Sequence, residues 1–377
     1  MSTDLTARSV AGGRQTGCGV TRMPLADALG IGALAWDQLV ARAGSASPFM
    51  SWAWHRAFAD SAPPTDVQAS EVLALRGTDG SLQALLPLRS SRVRFRRMNV
   101  RALTWAIGDT GCPDHLDLLS TPEASISALV PLLEELDWQV IVLSNLVADA
   151  PGVRRLCDSL ADRGHSIQRQ PLWPCPYLEL CADWESYLAS LSAKRRQGLR
   201  YMERSLQRRH AVAITDYDGD RLEEGWDHLV RLHAQRWREE GGAGAFWDPR
   251  VDRLHRRFAA ELTQRGQLWL TTLDIDGTPA AAWYGFASHD TVYFYQSGRD
   301  PRWERESVGQ MIIGAMIRRG MERGYRRFDF LRGEDPYKRQ WTTTQRTTEE
   351  IRIFRRGFRG RWLRLVDAVA SRGQAAR

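Results

Sequence analysis

A chain of 377 residues with 43% hydrophobic and 26% charged residues can form two ordinary domains, and its balance is that of a globular protein, not a fibrous or disordered one. The net charge of +7 comes almost wholly from arginine, whose forked donors suit phosphate, so a phosphorylated ligand, a nucleic acid and an anionic membrane face all fit it. Cysteines at 18, 112, 157, 175 and 181 show no paired spacing and no companion histidine, which argues against a zinc site or a disulfide framework.

Residues 1–19 are rich in Gly, Ser, Thr and Arg and read as a disordered lead without the apolar core of a signal peptide. No apolar run approaches the roughly 18 residues needed to cross a bilayer, so the expected location is a reducing cytoplasm. The first strong local signal is Glu71–Leu88, two apolar strand-like runs joined at Asp79-Gly80, a hairpin signature. A strand around Leu116–Leu119, a helix from about Glu123 to Leu136 and the apolar strand Val140–Leu146 follow. Ser120 and Glu123 have the spacing of a capping box.

The same order returns later. A second hairpin turns at Asp276-Gly277, followed by a strand Thr291–Gln296, a helix Ser307–Arg323 and a strand Arg326–Leu331. Hairpin, strand, helix, strand, occurring twice, points to a duplicated mixed α/β unit. The second helix opens with Ser307-Val308-Gly309-Gln310, again at capping-box spacing. Gly309 in its first turn would let an anion approach backbone N–H groups at the positive end of the helix dipole. The corresponding opening in the first half carries Glu123 and no glycine, which repels phosphate.

Between the units, Arg196, Arg200, Arg204 and Arg208 recur every fourth residue beside the apolar face Leu188, Leu191, Leu199, Met202 and Leu206. Like charges at that spacing repel, so acids elsewhere, a phosphorylated ligand or a nucleic acid must compensate them. A second helix, Leu222–Glu240, carries His233, read here as a packed histidine. The glycine break Gly241–Gly244 before Phe246-Trp247 reads equally as a lid or a connector.

The densest cluster of chemistry follows Phe328. Strand-like alternation ends at Arg332-Gly333, and Glu334, Asp335, Tyr337, Lys338, Arg339 and Trp341 come next. In open α/β sheets, ligands sit beyond the C-terminal ends of strands, which makes this stretch a candidate site.

These runs (the Asp-Gly hairpin, Thr291–Trp303, Ser307–Ile317 and Arg326–Trp341) together resemble the CelD-type branch of the GNAT acyltransferase superfamily, related to the FemABX peptidyltransferases. The resemblance is strongest from Lys194 to Phe354. It implies an α/β chain of two tandem GNAT-like folds: a lead at 1–19, an N-terminal GNAT-like domain at 20–170, a C-terminal GNAT domain with the acyl-donor site at 171–365, and a flexible tail at 366–377. It implies acetyl-CoA or another acyl-CoA as co-substrate, no metal, and an amine of a small molecule, sugar or envelope precursor as acceptor. An aminoacyl-tRNA donor, as in FemABX proteins, is the alternative. A non-catalytic accessory role in polysaccharide (cellulose) biosynthesis is a third reading, and peripheral membrane contact is compatible with all of them.

By the same resemblance, Arg305, Ser307, Val308, Gly309 and Gln310 form the pyrophosphate loop, although the glycine falls one position late and the second small residue is missing. Tyr295 and Gln296 would offer strand backbone to the reacting carbonyl, and Lys338 resembles the lysine that FemABX relatives use near donor and acceptor. The chemistry adds roles. An acceptor amine with a pKa of about 10.4 must lose a proton, for which Glu334 and Asp335 are the nearest carboxylates. Tyr337 can protonate the leaving group, and Arg196, Arg200, Asp329, Arg332 and Trp341 would contact substrate.

Overall fold

The computed structural model describes residues 19–44, 47–95, 98–239 and 241–374. The expected lead falls outside them except for Gly19, which begins the first strand. In chain order the first half contains β1 (Gly19–Pro24), α1 (Leu25–Leu29), α2 (Ala33–Arg42), α3 (Trp52–Ser61) and α4 (Pro64–Gln68). It continues with β2 (Ser70–Arg76), β3 (Leu82–Phe95), β4 (Met98–Trp105), β5 (Leu119–Ser120), α5 (Val130–Glu135), β6 (Val140–Leu146) and α6 (Pro151–Asp162). The long β7 (Ser166–Glu179) leads to α7 (Trp184–Ser190), α8 (Ala193–Gln207), β8 (Val212–Asp216), α9 (Leu222–Glu239) and α10 (Pro249–Gln264). Then come β9 (Leu268–Ile275), β10 (Thr278–Ser288), β11 (Thr291–Arg299), α11 (Val308–Glu322), β12 (Arg327–Asp329), β13 (Gln345–Phe354) and α12 (Phe358–Gln374).

Both halves repeat one plan: a strand, two principal helices, a hairpin, a further strand, a helical crossover and a parallel strand. The hairpins are β2–β3 and β9–β10, the latter closed by Asp276 (φ 50°) and Gly277 (φ 77°) in the doubly left-handed turn that suits strand twist. The parallel pairs are β4–β6 and β11–β12, each joined through a crossover that must contain helix or long loop. The crossover of the first half is weaker than expected. It consists of a 3₁₀ turn Ile126–Leu129 and the short α5, and Ser120 lies in β5, its Oγ accepting from Arg155, so the Ser120–Glu123 capping box does not form.

The strand order is β1-β2-β3-β4-β6-β13-β7-β12-β11-β10-β9-β8, so among the described residues the strands along this path make one continuous sheet. The last strand, β13, returns to lie between β6 and β7, while the end of β7 (Tyr177–Glu179) pairs with β12. The sheet therefore does not divide at the boundary expected near residue 170. Residues 345–367 pack with the first half, and the chain expected to be a tail from 366 continues as α12 to Gln374.

One apolar core runs through both halves. Trp54 of α3 meets Phe258 of α10 with ring centroids 4.8 Å apart, and Phe49 meets Phe286 of β10 at 5.7 Å, all nearly edge to face. Burying each such ring stabilises by about 2–3 kcal/mol, which ties the halves into one body. A second core of Trp283, Phe294, Phe328, Ile312 and Trp341 fills the space under α11.

Candidate functional site

The second parallel pair opens at its C-terminal end. Register between β11 and β12 stops at Tyr293–Asp329, because Phe330 N–H donates instead to Pro176 O of β7 and Leu331 turns left-handed (φ 55°). β11 continues along β10 to Arg299 through a bulge that leaves Tyr295 without a register partner. Gly285 permits that bulge: a Cβ there would lie 2.2 Å from Tyr293 O and from Trp283. The strands part, and the Phe294 ring packs against Phe330 and Tyr337 with centroids 6.1 and 6.2 Å away.

A cleft of about 260 Å³ lies at this opening, between the mouth of α11, the end of β11 and Tyr337. Ser307, Val308, Gly309 and Gln310 supply one wall, and Ser297, Gly298, Arg299, Glu304 and Arg236 supply much of the rest. First-turn N–H groups of a helix lack intrahelical acceptors, so Val308 and Gly309 present donors and the positive dipole end to the cleft. The mouth is not closed by a capping box. Ser307 is left-handed (φ 58°, ψ 38°), whereas a side-chain cap needs extended backbone, and Gln310 accepts instead from Arg195 at 2.9 Å. Arg195 in turn lies 5.0 Å over the Trp341 ring.

The back of the cleft is held by close backbone packing. A Cβ on Gly298 would come 2.3 Å from His233 N and 2.4 Å from Leu232 C, so only glycine lets α9 approach β11 this closely. His233 completes the joint: Ala245 N–H donates to its Nε2 at 3.2 Å, which leaves Nδ1–H to donate to Ser297 O at 3.0 Å. The charge at the cleft is balanced. Arg299 lies 3.3 Å from Glu239 and 3.8 Å from Glu304, and Arg236 lies 5.8 Å from the centre of the Tyr337 ring.

Part of the polar cluster around the end of β12 has gone elsewhere, Asp329 and Arg332 into the junction with the first half and Lys338 into its own loop. Asp329 is fully buried; its Oδ1 accepts from Leu331 N–H at 2.8 Å, and Oδ2 meets Arg346 and lies 3.2 Å from His115 Nε2. Burial pushes its carboxyl up, but His115 and Arg346 outweigh that and hold it below the usual carboxylate range. Arg332 joins Asp114 through Nε at 2.7 Å and through its backbone N–H at 3.0 Å, and donates to Pro113 O at 2.5 Å. Lys338 is buried, its Nζ donating to Arg332 O at 2.6 Å and Leu331 O at 3.4 Å, with Asp335 at 3.4 Å. Expected to contact substrate, Asp329 and Arg332 instead bind the protein itself, since a buried charge needs a fixed partner.

The remaining expected residues divide as follows. Tyr337 lines the cleft; Glu334 is exposed and 3.4 Å from Arg339, and neither it nor Asp335 reaches the cleft wall. Trp341 is a core residue, 2% exposed, stacked on Tyr187. Arg196 donates to the carbonyls of Leu188, Ala189 and Leu191 at the end of α7, and Arg200 pairs with Glu185, so these two members of the cationic stripe are engaged within the fold. Arg305 is exposed outside the cleft lining, and Tyr295 turns its phenol away to donate to Gly111 O at 2.8 Å. Gln296 belongs to β11 but is not a cleft-lining residue. Arg236, Gly298, Arg299 and Glu304 were not singled out from sequence; the run Ser297-Gly-Arg-Asp-Pro at the end of β11 was the available signal.

Among the described residues, no group of three or more His, Cys, Asp or Glu side chains is arranged to hold a metal. No described helix is long and apolar enough to cross a membrane.

Residues 193–339 match the family described as an acetyltransferase (GNAT) domain. No curated protein matches the chain by sequence. Among solved structures, FemX superposes with a TM-score of 0.59 at 10% identity, covering 85% of this chain and 95% of that one. A conserved protein of unknown function from Bacteroides thetaiotaomicron gives 0.55 at 12% identity over 90% and 100% of the two chains. L-PGS from Bacillus licheniformis gives 0.51 at 12% identity over 92% and 97%. Likeness at this identity is a likeness of fold.

Proposed function

We propose that this chain, whose residues 193–339 match an acetyltransferase (GNAT) domain and whose fold is like that of FemX, is an N-acyltransferase using acyl-CoA. The acceptor would be an amine of a small molecule, sugar or envelope precursor. The observation that carries this reading is the shared cleft: the mouth of α11 and the Tyr337 phenol face one space at the parting of β11 and β12.

The residues divide the work as their chemistry dictates. Val308 and Gly309 N–H groups meet the anionic part of the donor, and the acyl carbonyl lies toward the gap, where β11 backbone beyond Tyr293 has left its β12 partner. The neutral acceptor nitrogen attacks the carbonyl carbon, a C–N bond forms, and the C–S bond breaks. The nitrogen gives its proton to solvent or a nearby carboxylate, and Tyr337 donates one to the departing thiolate. Isothermal titration with acetyl-CoA tests the donor: micromolar binding supports the reading, and silence up to millimolar concentration removes it.

One observation favours an aminoacyl-tRNA donor instead. Glu304 stands in the cleft wall and, with Glu239, offsets Arg299, so the cleft offers little net charge to a diphosphate. A tRNA 3′ end brings a single phosphodiester at each step. Loss of transfer activity on ribonuclease treatment would select that donor.

A further inference from the structure

Helix α12 lies on the first half by one narrow face. Leu363 is 3% exposed and packs with Phe95, Val100, Ala102, Val140 and Phe354, and buried Asp367 pairs with Arg352. The opposite face is unusual. Phe358 is 85% exposed, Trp362 45% and Leu365 66%, and their spacing of four and three residues sets them in one stripe pointing away from the body. Arg359 flanks the stripe on one side, and Arg361 and Arg364 flank it on the other; all three are exposed.

These arginines differ from several cations of the body. Arg332, Arg346, Arg352, Arg318 and Arg319 all have carboxylate partners, yet Arg359, Arg361 and Arg364 pair with no carboxylate among the described residues. The one acid in this part of the helix, Asp367, faces inward. We propose that α12 is a membrane-surface helix, which docks the protein on an anionic bilayer with Phe358, Trp362 and Leu365 in the acyl boundary and Arg359, Arg361 and Arg364 on lipid phosphates. An apolar stripe with a tryptophan, flanked on both sides by long cations that reach back to the headgroups, is the geometry an interfacial helix requires. A second copy of this chain is a poor occupant. It would bring three like charges against three, in a protein already at +7.

Co-flotation of the full chain with vesicles tests this, using phosphatidylcholine alone and phosphatidylcholine containing phosphatidylglycerol. Binding to the anionic vesicles alone, weakening with salt, is expected. Replacing Arg359, Arg361 and Arg364 together by Gln should weaken it about a hundredfold, since each basic residue near such a surface multiplies affinity about fivefold. The pair Phe358→Ser and Leu365→Ser should also abolish flotation, with the thermal transition unchanged because both side chains face solvent. The proposal is overturned by failure to float, by equal binding to both vesicle types, or by salt-sensitive binding to RNA in place of vesicles. A dimer in light scattering that the Ser pair dissociates would overturn it too, by assigning the stripe to a second copy.

Discussion

Arg332, at the end of β12, grips Asp114 of the first half twice: its Nε lies 2.7 Å from Oδ1 and its backbone N–H 3.0 Å from Oδ2. Asp114 is 1% exposed, so this pair fixes where the loop carrying Tyr337 sits relative to the first half. Removing the guanidinium leaves the Asp114 carboxylate buried without its ion-pair partner. Arg332→Ala should cost about 3 kcal/mol in urea unfolding. Combining it with Asp114→Ala should cost less than the sum of the single changes, and strict additivity would show that the two residues are not coupled.

Tyr337 and Glu334 separate two views of the chemistry. Tyr337 faces the cleft, whereas Glu334 is exposed and turned to Arg339. Tyr337→Phe should lower kcat about a hundredfold with its thermal midpoint nearly preserved, because it removes the proton donor and keeps the ring. Glu334→Gln should leave kcat within a factor of two or so, since an exposed ion pair contributes little. A large loss from Glu334→Gln, with Tyr337→Phe silent, would move the proton chemistry to the exposed carboxylate.

What could be read from the sequence is local, and what could not is long-range. The Asp276-Gly277 turn, the 3.6-residue period of α9 and the crossover α11 are dictated by neighbours in the chain and stand where the pattern put them. The alternation in Gln345–Phe354 marks a strand, but nothing in it says that β13 will insert between β6 and β7. The cluster after Phe328 misleads for a related reason. Aspartate, arginine and lysine serve a catalytic site or a buried junction equally well, and the deciding partners, Asp114 and His115, lie two hundred or so residues away. Gly298 was invisible because its role is an approach of backbone to backbone, which no residue pattern records.

Lys338 gives a direct test of junction against catalysis. Its amine holds two carbonyls of the loop that begins at Leu331. Burial pushes the ammonium below its ordinary pKa of 10.5, with Asp335 opposing. A folded value below the unfolded one means that stability rises with pH as the solution passes the folded value toward 10.5, and the cost of the buried charge is present at neutral pH. Lys338→Met would remove that cost but orphan Leu331 O and Arg332 O, for a net loss of about 2 kcal/mol. Stability and turnover should fall together; lost turnover at full stability would assign the amine to the reaction.

Glu134 contributes to the acid stability of the first half. It accepts from Arg163 at 2.5 Å and lies 2.9 Å from His165 Nε2, and these partners lower its carboxyl from 4.5 to about 2. A depressed folded value means the contribution is complete above the unfolded value of 4.5 and is lost as pH falls toward 2. The loss should be on the order of 1 kcal/mol, as for an ion-pair network near the surface. Thermal midpoints measured across that window should fall less steeply in Glu134→Gln than in the parent. Parallel curves would show that other carboxylates govern acid unfolding.

Gly309 allows the donor-binding end of the cleft to be tested without disturbing the fold. A Cβ at this position would have Arg299 Cδ, at 3.6 Å, as its nearest neighbour, an ordinary contact, so a larger side chain can enter the cleft without displacing backbone. Gly309→Asp would set a carboxylate among the N–H groups that are to meet the donor's phosphate. A negative charge in a first helical turn favours the helix dipole, and replacing glycine at helical backbone angles removes its extra freedom in the unfolded chain, so the thermal midpoint should hold or rise. The KM for an acyl donor should then rise about tenfold, the repulsion of one added charge at partly exposed range, with kcat nearly unchanged because binding and not chemistry is affected. Gly309→Ala supplies the control: the same backbone change without charge should leave KM close to the parent value. If the Asp variant binds donor as well as the Ala variant does, the anionic part of the donor lies away from the mouth of α11, and the donor would then have to enter the gap between β11 and β12 from the Tyr337 side.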